Sequence, residues 1–311
     1  MKILLTGGAG YIGSILTELL LSNGYEVTVL DNFMFRQNSL NNLFFNKNLK
    51  VIDGDIRNAS LIKKETAKHD VIIPLAAIVG APACEKYKFI SKDINYTSNL
   101  NIIKCKSKNQ IVLMPTTNSA YGSGDSDNHC NEDSPLNPLS DYAIQKVNLE
   151  KEILQFENVI SFRFATVFGF SPKMRFDLLV NDFTQKAYLD KYIVLFEENF
   201  KRNFLHIRDA ANVFMHALNS IENFKHNIFN VGLSEANISK KDLCQKIQNH
   251  IPDFIFKTSS ISSDPDKRNY IVDNSRIEKT GFKCMFDLDE GILELIKGIK
   301  TLSMRRYTNI S

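Results

Sequence analysis

The chain has 311 residues, of which 43% are hydrophobic and 23% charged, with a formal net charge of +3 at pH 7. That length exceeds what one core usually organises and predicts two lobes, and the small net charge does not by itself point to a nucleic-acid surface, while leaving room for a local anion site. Five scattered cysteines (Cys84, Cys105, Cys130, Cys244 and Cys284) with no C-x-x-C pair exclude a disulfide framework and a zinc site, so no metal is expected and a reducing cytoplasm is.

Met1-Lys2 leads straight into a strand-like run, so no secretory signal is expected. The most apolar stretch, 71–83, is short and broken by Pro74, Gly80 and Pro82, which excludes a helical membrane span there. Short aliphatic or β-branched runs at 3–5, 27–30, 51–52, 71–73, 111–114 and 159–162 alternate with stretches of helical period. Such alternation predicts an α/β fold with a parallel sheet covered by helices. Between the first two runs, Ile12, Leu16, Leu19 and Leu20 share a helical face, and Asn23-Gly24 supplies a stop. The segment 122–131, rich in Ser, Asp, Asn and Gly, reads as a loop.

The first strand-to-helix turn reads Thr6-Gly7-Gly8-Ala9-Gly10-Tyr11-Ile12-Gly13. It can be taken as G-x-x-G-x-x-G on Gly7, Gly10 and Gly13, or as G-x-G-x-x-G on Gly8, Gly10 and Gly13. In both readings glycine lets the backbone turn tightly and approach a pyrophosphate, which the following helix N-terminus favours. Asp31, with Asn32 beside it, ends the second strand, where a carboxylate can hold both ribose hydroxyls. Such a carboxylate repels the 2′-phosphate of NADP and predicts NAD, although Arg36 is close enough in sequence to keep NADP in view. Asp55 and Ile56 after the third strand are placed at the adenine, and Leu75, Ala76 and Ala77 after the fourth along the cofactor. For the aliphatic members of this set, plain packing is the competing reading.

A second constellation is Tyr142-Ala143-Ile144-Gln145-Lys146, on a helix introduced by Pro138, Ser140 and Asp141. Spacing of i, i+4 puts the phenol and the ammonium on one face. An ammonium and a positive nicotinamide favour phenolate, so Tyr142 is predicted to act as a base near neutral pH. An exposed helical pair is the plainer reading of Y-x-x-x-K alone; its position after Pro115-Thr116-Thr117-Asn118-Ser119-Ala120-Tyr121-Gly122 favours the catalytic one.

These residues together resemble the extended short-chain dehydrogenase/reductase family, which includes nucleotide-sugar 4-epimerases and 4,6-dehydratases, and the resemblance covers nearly the whole chain. It implies a Rossmann-type doubly wound sheet over 1–168 and a smaller substrate-binding lobe over 169–311, with a segment near 204–231 returning to the first lobe. It further implies a homodimer with no membrane or nucleic-acid partner. Thr117, Tyr142 and Lys146 would be catalytic, Thr117 bonding the reacting sugar hydroxyl and Lys146 also holding the nicotinamide ribose. Asn118 would face the substrate, Asn181 would contact the nucleotide diphosphate, and Arg202 and Arg268 would clamp it. His206 reads as a structural histidine, Asp209 as the N-cap of the next helix and Cys84 as a buried inert thiol.

The resemblance implies that Tyr142 removes a proton from a sugar hydroxyl, usually at C4, while hydride passes to the nicotinamide. Dehydratases of the family carry an acid two positions before Tyr121-Gly122, where this chain has Ser119. The strings 74–82, 116–119 and 174–183 look most like a branch acting on GDP-manno-heptose, which implies C4 oxidation to a 4-keto sugar for surface polysaccharide, with a 2-oxo acid as one candidate for restoring NAD. A 4-epimerase with internal hydride return is the alternative, and a non-catalytic dinucleotide sensor is a more distant one.

Overall fold

The computed structural model describes residues 1–35, 38–123, 129–224, 228–259 and 268–302. Its centre is a seven-stranded sheet of β1 (Lys2–Thr6), β2 (Glu26–Asp31), β3 (Leu49–Asp53), β4 (Val71–Pro74), β5 (Ile111–Thr117), β6 (Val159–Phe164) and β7 (Ile228–Val231). Spatial order is β7-β6-β5-β4-β1-β2-β3, and every pairing is parallel. Each of the six aliphatic runs lies within one of the first six strands. Their residues are largely buried on both faces, as a parallel sheet between two helical layers requires.

Helix α1 (Tyr11–Ser22) crosses from β1 to β2 and ends at Asn23, with Gly24 at positive φ. Helices α2 (Ala59–Thr66), α3 (Asn99–Cys105) and α4 (Asp141–Ile153) follow. The order of connection reverses between β1 and β4, which opens a crevice at the carboxyl ends of the strands. Register brings Thr6 level with Pro74 and Leu30, Asp31 level with Asp53, and Thr117 level with Phe164, so the segments beyond these residues meet along one edge.

The smaller lobe carries α5 (Leu179–Leu189) and a three-stranded sheet in which Lys201–His206 lies between Thr166–Phe168 and Asn237–Ser239. The chain then returns to the first lobe. Helix α6 (Ile207–Asn219) buries Ala210, Val213, Phe214 and Ala217 and packs on α1, and β7 completes the large sheet. Helices α7 (Lys240–His250) and α8 (Leu288–Thr301) close the second lobe.

Strand β6 ends at Phe164, Ala165 N–H donates to the Val231 carbonyl at 2.9 Å, and Thr166–Phe168 pairs with Phe204–His206 in the small sheet. The returning segment begins at Ile207, because Phe204–His206 is paired with Thr166–Phe168. His206 rather than Asp209 caps α6, its ring accepting from Arg208 N at 3.3 Å. The Asp209 carboxylate instead accepts from Met285 and Phe286 N–H at 3.0 and 3.1 Å, tying α6 to the chain ahead of α8.

Under the site, the Glu150 carboxylate on α4 accepts from Arg163 on β6 at 2.6 Å, from Thr116 on β5 at 2.9 Å and from Ser161 at 2.6 Å. Arg163 and Glu150 are almost fully buried. Arg163→Met would strand a buried carboxylate and is expected to cost about 3–5 kcal/mol in urea unfolding, with Glu150→Leu added in the same chain recovering most of it. A loss under about 1 kcal/mol would show that the pair is not what holds α4 to the sheet.

Candidate active site

A cavity of about 1070 Å³ opens along the carboxyl edge, between the large sheet and the second lobe. Gly7, Gly10, Tyr11, Ile12 and Gly13 line one side. Gly7 has φ +71°, and a Cβ there would sit 2.6 Å from Ala76 N; one at Gly13 would sit 2.2 Å from the Gly7 carbonyl oxygen. Both glycines are therefore required by backbone packing. Gly10 is the N-cap of α1 and contributes no side-chain cap, which leaves the first-turn N–H groups to an outside acceptor.

Asp31 faces the cavity with its carboxylate set by Ala9 N–H at 3.0 Å and Phe33 N–H at 2.9 Å; burial, the largest influence, raises its pKa. Asn32 lines the same end and donates to Asp55 at 3.2 Å. The Asp55 carboxylate is taken up by Arg57 at 2.7 and 2.9 Å, and that guanidinium holds it down at about 2. Ile56, Leu75, Ala76 and Ala77 complete this wall, and Arg36 lies outside the described residues.

The loop after β4 is fixed by two asparagines that sequence reasoning missed. Asn95, in the π-helical turn Asp93–Ser98, accepts from Ile78 N–H at 2.8 Å and donates to the Ile78 carbonyl at 2.9 Å. Asn99 donates to the Ala76 carbonyl at 3.2 Å. Their only signal in the sequence is a pair of amides four apart in a helical stretch. Cys84 is buried nearby, donates to the Ile78 carbonyl at 3.2 Å, and is pushed up to about 11 by burial. It is thus a thiol, as expected.

Across the cavity, Ser140 caps α4 by accepting from Ala143 N–H at 3.3 Å, and one turn of this helix presents Tyr142 and Lys146. The Lys146 ammonium donates to the Pro115 carbonyl at 3.1 Å, binding α4 to β5 just ahead of Thr117. Burial pulls it down to about 8. Thr117 lines the cavity, and its hydroxyl oxygen accepts from Ser119 N–H at 3.1 Å. Burial drives the Tyr142 phenol well above its ordinary value, Cys84 adds to the rise, and Arg175 and Arg268 oppose it. Desolvation thus outweighs these two guanidinium groups at Tyr142, and the expected phenolate rests on the positive nicotinamide.

Arg202 and Arg268 reach the cavity from the second lobe. Arg202 is 2% exposed, lies over the Tyr270 ring at 5.8 Å and donates to the Lys201 carbonyl at 2.9 Å. Arg268 donates to the Ser119 hydroxyl. Two other expected substrate contacts are placed differently. Asn118 is fully buried behind Thr117 and Ser119, off the cavity wall, with neither amide atom hydrogen-bonded. Asn181 is also off the wall: it accepts from Gly169 N–H at 3.0 Å and donates to the Tyr11 hydroxyl at 3.0 Å and the Arg175 carbonyl at 2.8 Å. Both of its amide N–H groups and its carbonyl oxygen thus bond within the join between the glycine turn and the segment 169–175.

Sequence reasoning also passed over Lys173 and Arg175, which line the cavity beside Asp177. Arg175 bonds Asp177 through Nε at 3.2 Å and Nη2 at 2.5 Å. Among the described residues, no group of three or more His, Cys, Asp or Glu side chains is arranged for a metal ion, and no helix is long and apolar enough to cross a membrane.

The profile of the NAD dependent epimerase/dehydratase family matches residues 3–232. A putative UDP-glucose 4-epimerase of Methanocaldococcus jannaschii is 28% identical, over 96% of this chain and 98% of its own. A UDP-glucuronate 4-epimerase of Thermodesulfobacterium geofontis is likewise 28% identical over 96% and 98%. The crystal structure of UDP-glucuronic acid 4-epimerase from Bacillus cereus, in complex with UDP-glucuronic acid and NAD, superposes with a TM-score of 0.85 at 24% identity, covering 96% of this chain and 99% of that one. Because the matched segment runs from β1 to β7 and takes in the glycine turn, the Tyr142 helix and the return of the chain to the large sheet, this chain belongs to the NAD dependent epimerase/dehydratase family.

Proposed function

We propose that this enzyme, using NAD, oxidises the C4 hydroxyl of a nucleotide-linked sugar, and that the sugar is GDP-manno-heptose. An NAD-dependent activity of the nucleotide-sugar epimerase/dehydratase kind follows from the family. The observation that carries the narrower reading is the meeting of Thr117 and Tyr142 with the glycine turn in one cavity, where positions 118 and 119 hold Asn and Ser and no carboxylate. The heptose rests on the strings 74–82, 116–119 and 174–183.

The residues present fit the dinucleotide. The uncapped start of α1 suits a diphosphate, and Asp31, oriented by two N–H groups, suits a ribose diol. When bound, NAD would supply the hydride acceptor. Arg202 and Arg268 would hold the substrate diphosphate through paired N–H donors. Thr117 would bond the C4 hydroxyl, and Tyr142 would take its proton as the carbon gives up hydride. Lys146, fixed on the Pro115 carbonyl, would keep its charge beside them.

A 4-epimerase is the second reading, favoured by the relatives of that name and served by the same residues. Mass spectrometry of the purified protein with GDP-manno-heptose, UDP-glucose and UDP-galactose in heavy-oxygen water, with and without 2-oxoglutarate, separates the two. A GDP-heptose product lighter by two hydrogens and exchanging oxygen is expected. Isomerisation of a UDP-hexose at constant mass, with GDP-heptose untouched, would replace the dehydrogenase reading by the epimerase one.

A further inference from the structure

Tyr142 and Lys146 on α4 line the cavity, whereas Gln145, next to Lys146 in sequence, lies off the cavity wall and is only 8% exposed. Its carboxamide is bonded at both ends. Oε1 accepts from Asn95 Nδ2 at 2.8 Å, and Nε2 donates to the Ser91 hydroxyl oxygen at 3.3 Å. Both partners are fully buried. Asn95 has a second attachment: its Oδ1 accepts from Ile78 N–H and its Nδ2 donates to the Ile78 carbonyl, so one hydrogen of the amide holds Ile78 and the other holds Gln145. Cys84 Sγ, 3.6 Å from the same nitrogen, is a longer and weaker neighbour.

Ile78 lines the cavity together with Ala76 and Ala77. A continuous line of hydrogen bonds therefore runs from the Ile78 peptide through Asn95 and Gln145 to the helix that carries Tyr142 and Lys146. Its surroundings are apolar, since Ile78, Ile94 and Leu149 belong to one core cluster. An apolar side chain at 145 would suit that layer, and a neutral hydrogen bond adds only about 1 kcal/mol net, so stability is a weak reason for an amide. What the amide adds is direction. It sets the helix against the wall, and a displacement of about 1 Å in a reacting geometry costs on the order of a hundredfold in rate.

We propose that Gln145 is a positioning residue for hydride transfer: acting through Asn95, it holds the Ile78 wall at a set distance from Tyr142 and Lys146. This rests on the reading of the cavity as a place where Tyr142 acts on a sugar beside a dinucleotide, and it adds the element that spaces the two. Gln145 lies off the cavity wall, so its effect falls on the rate of the chemical step and not on affinity.

Single-turnover reduction of bound NAD in the full chain tests this, using whichever of GDP-manno-heptose, UDP-glucose and UDP-galactose the wild type oxidises. Gln145→Met keeps the length of the side chain and its apolar packing and removes both bonds. Its rate is expected to fall about tenfold to a hundredfold, with NAD affinity by calorimetry and the half-saturating sugar concentration within about twofold of wild type. Ser91→Ala removes only the other bond and should leave the rate within about twofold. In an Asn95→Ala background, adding Gln145→Met should lower the rate no further, because the two residues act in series. A rate for Gln145→Met within about threefold of wild type would overturn the proposal. An equal fall in Ser91→Ala would also overturn it, giving the effect to the helix Lys88–Lys92, as would losses that multiply in the double variant. Should Asn95→Ala not fold, the comparison of Gln145→Met with Ser91→Ala decides alone. Those outcomes leave the functional reading standing, whereas a wild type that reduces its NAD with none of the three sugars would remove that reading and the proposal together.

Discussion

Tyr142→Phe is expected to lower kcat for sugar oxidation on the order of a thousandfold while leaving NAD affinity within about twofold of wild type. The substitution removes one hydroxyl and keeps the ring, which packs against the apolar residues between the large sheet and helices α3 and α4, so α4 and the Lys146 bond to Pro115 stay in place. Burial favours the protonated phenol, opposed by Arg175 and Arg268. Proton removal therefore depends on positive charge arriving with the ligands, and phenylalanine offers no acceptor at all. Single-turnover reduction of bound NAD, followed by absorbance, reads the chemical step directly, and calorimetry reads binding. A fall in kcat of less than tenfold would take the proton from another group and dismiss Tyr142 as the base. A protein that only senses the dinucleotide would respond to neither measurement.

Lys146→Met is expected to abolish turnover and yet stabilise the fold by about 2 kcal/mol near neutral pH. Burial lowers the ammonium from 10.5 to about 8. A shift of that size corresponds to about 3 kcal/mol of destabilisation by the charged form, from which about 1 kcal/mol is subtracted for the lost bond to Pro115. The sign with pH follows from proton counts. Below about pH 8 both states carry the charge and the folded wild type bears the full cost. Between about 8 and 10.5 the unfolded chain holds a proton the folded chain has given up, so wild-type stability rises with pH. The advantage of Lys146→Met is therefore expected to shrink across that window. Tyrosine ionisation near pH 10 affects both proteins and cancels in the difference. Urea unfolding of both proteins at about pH 7 and about pH 10 checks this. A variant less stable than wild type at neutral pH would mean that the ammonium is held at no net cost, and that Lys146 is structural as well as functional.

The large sheet was legible because each of its first six strands is a short aliphatic run whose meaning is local. The glycine turn was legible for a related reason: Gly7 and Gly13 are dictated by backbone contacts within the same unit and with the neighbouring strand's loop. The bond of Asn181 to Tyr11 was not legible because the two lie 170 positions apart, and nothing local reveals where the amide bonds. Lys173 and Arg175 look like ordinary loop cations until the fold lays their segment on the glycine turn. Asp209 stands where a cap is plausible, but His206 is one residue ahead of α6 and its ring reaches the free N–H first. The shared face of Tyr142 and Lys146 was legible from their spacing; the burial that dominates the titration of Tyr142 is a property of the folded site.

The interleaving of the lobes limits how the chain can be divided. A fragment ending at residue 168 would carry β1 to β6 and leave Val159–Phe164, buried along its whole length in the intact fold, as a bare sheet edge. It would also uncover the face of α1 on which α6 packs. Unpaired apolar edges recruit further strands, so such a fragment is an aggregation hazard rather than a minimal dinucleotide module. The same holds during synthesis: until Val231 has left the ribosome the first lobe has no complete sheet, and the chain passes through a stage in which the strand preceding the second lobe waits for a partner nearly seventy positions downstream.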